Sequence, residues 1–493
     1  VIFHSLDFLV FFAVTLALYW GLPHRWQNVF LLIASYVFYG WVHPWFLSLI
    51  FATTFIDYWS ARGMTAWPAR RKPFLWLSIV TNFGLLGFFK YFDFFVDNVA
   101  AVASAFGWHI PRPALQVFLP VGISFYTFQS MSYTIDVYWN HSKARTSFLD
   151  VAAFVSFFPH LVAGPIMRAT NLLPQVEQER RFSAPAARDA LVLIVWGFFK
   201  KLVIADSVGV IANKVFALKE PEFYVLWAGV FAFSMQIYAD FSAYTDIARG
   251  VAKWYGFDLI RNFEHPYMAT SPSDFWRRWN ISLSTWFRDY VFLPIAYRIS
   301  RRIESDRILA IDATSWAYIG GMGVTMLVAG LWHGASWNYV IWGVYHGALL
   351  GLARVVTAVG RPARRRRRTR PWVTPFKIAG MFALTSLGWL IFRETEFAQL
   401  VRHLTLTPWD TNPLDGRAGA YLFLLALIYA LPLWIQDVWA ERGWPNLVAA
   451  IDVPDIAAGW GRTAVQTLLC GVMVATIYVL RSRAPMDFIY FAF

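Results

Sequence analysis

The sequence predicts an all-α protein that crosses a membrane many times. Three observations carry this: 58% of the 493 residues are hydrophobic, only 15% are charged, and the apolar residues fall into long runs with short gaps between them. Soluble domains run at roughly 25% charged and 45–50% apolar, and a surface facing water needs those charges. A helical span needs about 20 apolar residues. Runs of this kind lie at 6–22, 28–42, 45–60, 73–96, 116–137, 150–166, 189–211, 223–248, 312–332, 336–358, 375–392, 418–437 and 463–481. Judged against the length rule they give about 11–13 spans.

Taken in order, the first run has no basic region before it and no small-residue cleavage site, so it reads as a retained span rather than a signal peptide. Arg70, Arg71 and Lys72 precede the fourth run and mark a cytoplasmic loop by the positive-inside bias. The run at 150–166 holds Pro159 and Pro165 around Gly164, which implies a broken helix. Irregular backbone at membrane depth is tolerated where it lines a cavity. Lys200 and Lys201 sit in the run at 189–211, and Asp240 and Asp246 in the next. The two carboxylates read as a proton relay, or as partners of Arg, Lys or Tyr on neighbouring helices that fix the bundle, Lys200 and Lys201 among the candidates. Arg361, Arg364 to Arg368 and Arg370 form the strongest basic block, a cytoplasmic loop that touches anionic lipid or an anionic substrate. No internal repeat and no soluble domain is visible, so 1–493 reads as one membrane domain.

The stretch from Arg261 to Arg307 is not an ordinary span. It alternates aromatic residues with arginine, as in Phe275-Trp276-Arg277-Arg278-Trp279-Asn280 and Trp286-Phe287-Arg288-Asp289-Tyr290. Ser271 or Ser273 is placed to cap a helix beginning near Asp274, with that acid in its first turn. Such a segment lies at the membrane interface or dips into a protein-lined cavity.

Composition also excludes function classes. The 43 basic and 30 acidic residues leave a net charge of +13. In a soluble chain that excess suggests nucleic acid; here the basic residues cluster between apolar runs, so no nucleic-acid partner is expected. Cys470 is the sole cysteine, which excludes an intrachain disulfide and a multi-cysteine metal site. Phosphate loops, zinc-binding His-Glu-x-x-His helices and serine nucleophile elbows are missing from the sequence. No metal is expected.

Ionisable residues within apolar segments are candidates for function. His333 ends an apolar run between Gly330 and Gly334. A near-neutral imidazole takes a proton from a hydroxyl and returns it to a leaving group, while a structural histidine in the same place would tie two helices together. On pattern alone the two readings stand level. On a continuous helix His346 would lie about 220° around from His333, so packing is its expected role and a two-histidine metal site is not. His160, in Phe158-Pro159-His160-Leu161, reads equally as cavity lining and as structure.

Three stretches in order resemble the membrane-bound O-acyltransferase (MBOAT) superfamily, and within it the bacterial alginate O-acetyltransferase-like branch. They are Phe158-Pro159-His160-Leu161-Val162-Ala163-Gly164-Pro165, Phe275 through Ser284, and Leu331-Trp332-His333-Gly334. The resemblance covers nearly the whole chain, to the closing Asp487-Phe488-Ile489-Tyr490-Phe491. It implies a many-helix fold with re-entrant or interfacial helices around a central tunnel, and a catalytic core at roughly 150–350 with a basic cytoplasmic loop at 361–370. His333 would be the catalytic histidine. Where the bacterial branch usually has a second histidine this chain has Asn280, whose amide cannot titrate but can orient a hydroxyl or a thioester carbonyl. Substrate contacts are expected from His160, Arg168, Trp276, Arg277, Arg278, Ser282, Ser284, Trp286, Trp332 and Asn338. For Arg277 and Arg278 an ordinary salt-bridge role competes with holding donor phosphates.

The resemblance further implies an acetyl-CoA donor on the cytoplasmic side, with no permanently bound cofactor, and an exported or cell-envelope polysaccharide as acceptor. It places the chain in a bacterial inner membrane among lipids, with a periplasmic acetyltransferase as partner. Rival readings are D-alanyl transfer to teichoic acid, and acylation of peptidoglycan or of a lipid hydroxyl. A transporter is the rival from another class, with Asp240, Asp246 and His160 as its pathway.

Overall fold

The structure, a computed structural model, describes residues 3, 5–41, 43–109, 118–162, 164–303, 305, 307–309, 311–359, 371–441, 460–482 and 486–489. These residues form helices and one two-strand hairpin. The chain is an all-α polytopic membrane protein. Among the described residues, six helical stretches are long and apolar enough to cross a membrane: Pro68–Ala105, Ala313–His333, Trp337–Val359, Thr374–Arg393, Pro413–Glu441 and Thr463–Leu480. Most other apolar runs also fold as helix, but they are shorter or carry buried polar residues such as Asp57, Gln129 and Asp240. The basic block at 361–370 lies outside the described residues.

The chain divides into two compact units, 1–194 with 244–260, and 195–243 with 261–493. The first holds α1 (Leu6–Trp20), α2 (His24–Gly40), α3 (Phe46–Ala66), α4 (Arg71–Ala105), α5 (Ile123–Tyr138), α6 (Phe148–Ser156), α7 (Phe158–Leu161), α8 (Ala169–Glu177) and most of α9 (Ala184–Phe199). Ser5 and Ser147 cap α1 and α6 by accepting from Phe8 N–H and Asp150 N–H, which satisfies first-turn donors. A carboxylate among spans needs partners. Asp57 has them: Asn82 donates to both its oxygens, at 3.0 and 2.9 Å, and Ser130 donates to it as well. Arg180 is tied in the same way, donating to Tyr19, to Asn28 and to the Gln175 and Val176 carbonyls.

Two of the apolar runs in this unit are shorter as helices than as runs. Of the run at 116–137, the described residues from 118 become helical at Ile123, because Pro120 lacks an N–H and Gly122 takes φ +78°, left-handed backbone that glycine accepts. The run at 150–166 breaks at Phe157, before Pro159, and α7 ends at Leu161.

In the second unit α9 runs through a π-helical turn, Lys200–Ala205, into α10 (Asp206–Phe216). The first part of α11 (Phe223–Trp254) also belongs here. The Arg261–Arg307 stretch forms no span. It folds into three short helices, α12 (Pro272–Arg278), α13 (Ile281–Phe287) and α14 (Leu293–Ser300), with a π-helical turn at Arg288–Phe292. Ser271, not Ser273, caps α12 with Pro272 at its first position. Strands β1 (Arg307–Ile308) and β2 (Ile311–Asp312) pair antiparallel. Then follow α15 (Ala313–His333), α16 (Trp337–Val359), α17 (Thr374–Arg393), α18 (Phe397–Thr405), α19 (Pro413–Glu441) and α20 (Trp460–Leu480).

Buried Lys201 in the π-helical turn lies 2.9 Å from Asp240 and 3.0 Å from Asp206. Asp240 also accepts from the Ile489 N–H, and Lys201 donates to the Asp487 carbonyl. The closing segment is therefore fastened to this ion cluster. Asp246 lies in the first unit, 3.6 Å from Arg249.

Candidate active site

His333 is the last residue of α15, and Gly334 breaks the helix with extended backbone. The chain re-enters helix at Trp337, so α15 and α16 form a hairpin rather than one continuous rod. The assumption of a continuous helix between His333 and His346 therefore fails. Both rings pack on Trp342, His333 at 4.9 Å and His346 at 4.7 Å between centroids. The hairpin is tight because a Cβ at Gly330 would run into the Tyr339 carbonyl and one at Gly334 into the Tyr339 ring. Small residues let transmembrane helices approach this closely.

Aromatic edges enclose the imidazole. Trp332, Trp342 and Phe392 stand roughly perpendicular to it with centroids 4.9, 4.9 and 5.2 Å away. Phe392 belongs to α17 and is fixed by Asn338, whose Nδ2 donates to the Phe392 carbonyl at 3.0 Å. The aromatic set continues from Trp342 through Trp389 to Trp279, with centroids 6.3 and 4.8 Å apart. Trp276, on α12, meets both Trp342 and His346.

Asn280 follows Trp279 at the turn between α12 and α13, with φ +41°. Asparagine is among the few side chains that accept this left-handed backbone. The turn is held by Asn262, whose carbonyl accepts the Ile281 N–H and whose Oδ1 accepts the Ser282 N–H, both at 2.9 Å. The Asn280 side chain is 2% exposed, yet among the described residues neither its Nδ2 nor its Oδ1 has a hydrogen-bond partner. Asn262 Nδ2, Asn338 Oδ1 and the ring N–H groups of Trp276 and Trp342 are buried and unpartnered in the same sense. Buried polar groups ordinarily find partners. Of these, Trp342 packs on His333, Trp276 packs on Trp342, Asn338 holds Phe392, and Asn280 and Asn262 share the turn after Trp279.

The remaining sequence-derived candidates divide. Ser282 and Trp286 are buried on α13, and the Ser284 hydroxyl is turned back to the Trp279 carbonyl. Arg278 is committed elsewhere, to Asp274 at 3.1 Å and to both oxygens of Glu441 at 2.8 and 3.1 Å. Those two carboxylates hold its charge firmly, Glu441 first, and raise its pKa above the ordinary arginine value. Arg277 is largely exposed and pairs with Asp274 at 3.2 Å. His160 and Arg168 belong to the first unit. His160 is buried beside Phe157, and neither ring nitrogen has a hydrogen-bond partner among the described residues. Arg168 is half-buried at the start of α8.

Sequence reasoning missed Asn262, Trp342 and Phe392. It also missed a pair of half-buried His265 with buried Asp437, Nδ1 to Oδ1 at 2.7 Å, where Asp437 also accepts from the Tyr238 hydroxyl at 3.1 Å. The signal available for Trp342 was its place four residues before His346 in an apolar run. For Asp437 it was a carboxylate at the end of the apolar run 418–437; for Phe392 there was none, since its partners lie far off in sequence.

Comparison with known proteins agrees with this architecture. Residues 140–391 match the membrane-bound O-acyltransferase (MBOAT) family. The probable alginate O-acetylase AlgI of Pseudomonas putida is 34% identical, over the full length of both chains. A peptidoglycan O-acetyltransferase of Helicobacter pylori is 31% identical over 76% of this chain and 73% of its own. A teichoic acid D-alanyltransferase of Bacillus subtilis is 26% identical over 59% of this chain and 72% of its own. The chain belongs to the membrane-bound O-acyltransferase family, in its alginate O-acetylase-like branch.

Proposed function

We propose that this O-acyltransferase takes acetyl from cytoplasmic acetyl-CoA and delivers it across the bacterial inner membrane for O-acetylation of an exported or cell-envelope polysaccharide. The observation that carries the reading is the aromatic enclosure of His333 at the end of α15, with unpartnered buried polar groups on α16 and on the turn between α12 and α13. His333 takes the proton of the accepting hydroxyl, whose oxygen attacks the thioester carbonyl. The carbon–sulfur bond breaks, and the imidazolium returns the proton to the departing thiolate. The Asn280 amide N–H groups are the donors that hold the carbonyl oxygen as it gains charge. The aromatic wall keeps water, the competing nucleophile, away from the thioester.

A periplasmic acetyltransferase that finishes the transfer is part of this proposal. A second reading, acetyl transfer to peptidoglycan, is favoured by the match to the Helicobacter pylori enzyme over three quarters of the chain. Ester-linked acetate on secreted polysaccharide and on peptidoglycan, measured separately, distinguishes the two. A deletion strain would carry wild type or His333→Ala at matched membrane levels. Polysaccharide acetate that falls on deletion and returns only with wild type is the expected result. Full acetate with His333→Ala would remove the histidine from the mechanism, and acetate restored only on peptidoglycan would move the acceptor.

A further inference from the structure

The turn that presents Asn280 is shaped by two chains, and α19 grips both. The segment 262–265 runs alongside 278–282: the Asn262 carbonyl accepts the Ile281 N–H at 2.9 Å, and the Glu264 N–H donates to the Arg278 carbonyl at 3.0 Å. Asp437 and Glu441 stand four residues apart on α19 and so share one face, a turn apart. Glu441 takes the guanidinium of Arg278, two residues before Asn280, at 2.8 and 3.1 Å. Asp437 takes Nδ1 of His265, three residues after Asn262, at 2.7 Å. One helix face therefore holds the two chains whose mutual hydrogen bonds form the turn.

The Asp437 contact is the buried one. Its carboxylate is 3% exposed and depends on two donors, the Tyr238 hydroxyl and His265. A carboxylate only accepts, so Nδ1 carries a hydrogen here, and a hydrogen bond to a charged group is among the stronger ones. His265 also carries left-handed backbone, φ +48°, against φ +41° at Asn280. Among the described residues four non-glycine positions have positive φ, and two of them lie on these facing chains. Histidine and asparagine accept such backbone more readily than most, but it persists only where the surroundings fix it, and it gathers at functional sites. At His265 the fixing contact is Asp437.

We propose that His265 is a positioning residue for Asn280: its bond to Asp437 holds the 262–265 chain on α19 and, through Asn262, sets where the Asn280 amide points. This rests on the reading of Asn280 as the donor to the thioester carbonyl oxygen. Such a donor must already lie at hydrogen-bond distance when charge develops, and a displacement of about an ångström costs up to about 10²-fold.

Substitutions separate the bond from the residue. His265→Asn places an amide N–H where Nδ1 stood and accepts the left-handed backbone. His265→Gly accepts the backbone and lacks the donor. Asp437→Leu breaks the same bond from α19 without touching the 262–265 chain, and Asp437→Asn keeps an accepting oxygen. Because the bond is broken from either side, a variant that fails to fold leaves the other to decide.

The experiment takes the full chain in lipid nanodiscs, as wild type, the four variants and Asn280→Gly. Hydrogen–deuterium exchange is read by mass spectrometry on peptides covering 278–284, a measurement that needs no substrate. The same variants, at matched membrane levels in the deletion strain, are assayed for ester-linked acetate. In His265→Gly and Asp437→Leu, exchange at Ile281 and Ser282 should quicken and acetate should fall, each by about tenfold or more. His265→Asn and Asp437→Asn should stay within about twofold of wild type in both. Unchanged exchange in His265→Gly and Asp437→Leu would overturn the proposal. Faster exchange with undiminished acetate would do the same, as would slow exchange with acetate lost in His265→Asn, because the imidazole itself would then be required. Full acetate in Asn280→Gly would instead defeat the reading of Asn280, whatever the His265 variants do.

Discussion

Asn338 holds Phe392 by its main chain: the side-chain amide at the start of α16 donates to the Phe392 carbonyl at the end of α17. The Phe392 ring then stands edge-on to His333. A residue five positions after His333 in sequence thus sets one wall of its enclosure through a helix some fifty residues further on. Asn338→Leu keeps the volume and removes the donor. The expected outcome is a drop in acetyl transfer of about 10²-fold, the effect of misplacing a reacting group by an ångström. The cost in stability should be near 1 kcal/mol, the net worth of one hydrogen bond. Transfer and thermal melting measured on the same purified variant separate the two, and full transfer by Asn338→Leu would end the positioning role.

Asn280 combines a backbone task with a side-chain one, and two substitutions split them. Asn280→Gly keeps the φ of +41° and removes the amide. Asn280→Ala also removes the amide but keeps a Cβ in left-handed backbone, which alanine tolerates less well than asparagine, at a cost of up to about 1–2 kcal/mol. Both variants should lose transfer, while only Asn280→Ala should melt early. A fully active Asn280→Gly would show that the unpartnered amide serves the turn alone.

The Lys201 cluster is a stability feature. Removing one member of a buried ion pair costs about 3–5 kcal/mol, because the charge left behind has no partner. Lys201→Met leaves Asp206 and Asp240 facing each other and should lower the melting temperature markedly. It should also expose the closing segment at Asp487–Ile489 to protease, since Lys201 and Asp240 both bind it. Adding Asp206→Asn and Asp240→Asn should restore much of the stability. If the triple variant melts as early as Lys201→Met, charge is not what the cluster contributes.

Most of the fold was legible because membrane helices announce themselves by length and hydropathy. The broken helix at 157–161 followed from its prolines, and the departure of 261–307 from a span followed from its arginines. The pairing of Lys201 with Asp240 was legible as one of two readings, since buried opposite charges seek each other, but Asp206 as a third member was not. The site itself was half visible. His333 stood out as an ionisable residue ending an apolar run and Asn280 through the family resemblance, whereas Phe392 and Asn262 became part of the candidate site only through tertiary packing. The angle between His333 and His346 rested on a continuous helix, and the gap between the runs at 312–332 and 336–358 folds instead as a break at Gly334.

Acid should loosen the turn that presents Asn280. Asp274, in the first turn of α12, is pulled toward a higher pKa by partial burial. The Thr270 N–H, Arg278 and Arg277 together outweigh this and hold its carboxyl below the usual value. A folded pKa below the unfolded one means stability that is fully present above the unfolded value, about 3.9, and lost as pH falls through the folded value. The contribution of Asp274 is therefore constant at neutral pH and fades below about pH 4. Melting of wild type and Asp274→Asn across that range should show a gap that is steady from pH 7 to about pH 5 and then closes. Because Arg278 bridges Asp274 and Glu441, and its carbonyl accepts the Glu264 N–H, acetyl transfer by Asp274→Asn should be weakened throughout. A gap that persists unchanged to pH 3 would mean that the Asp274 charge contributes nothing to holding α12.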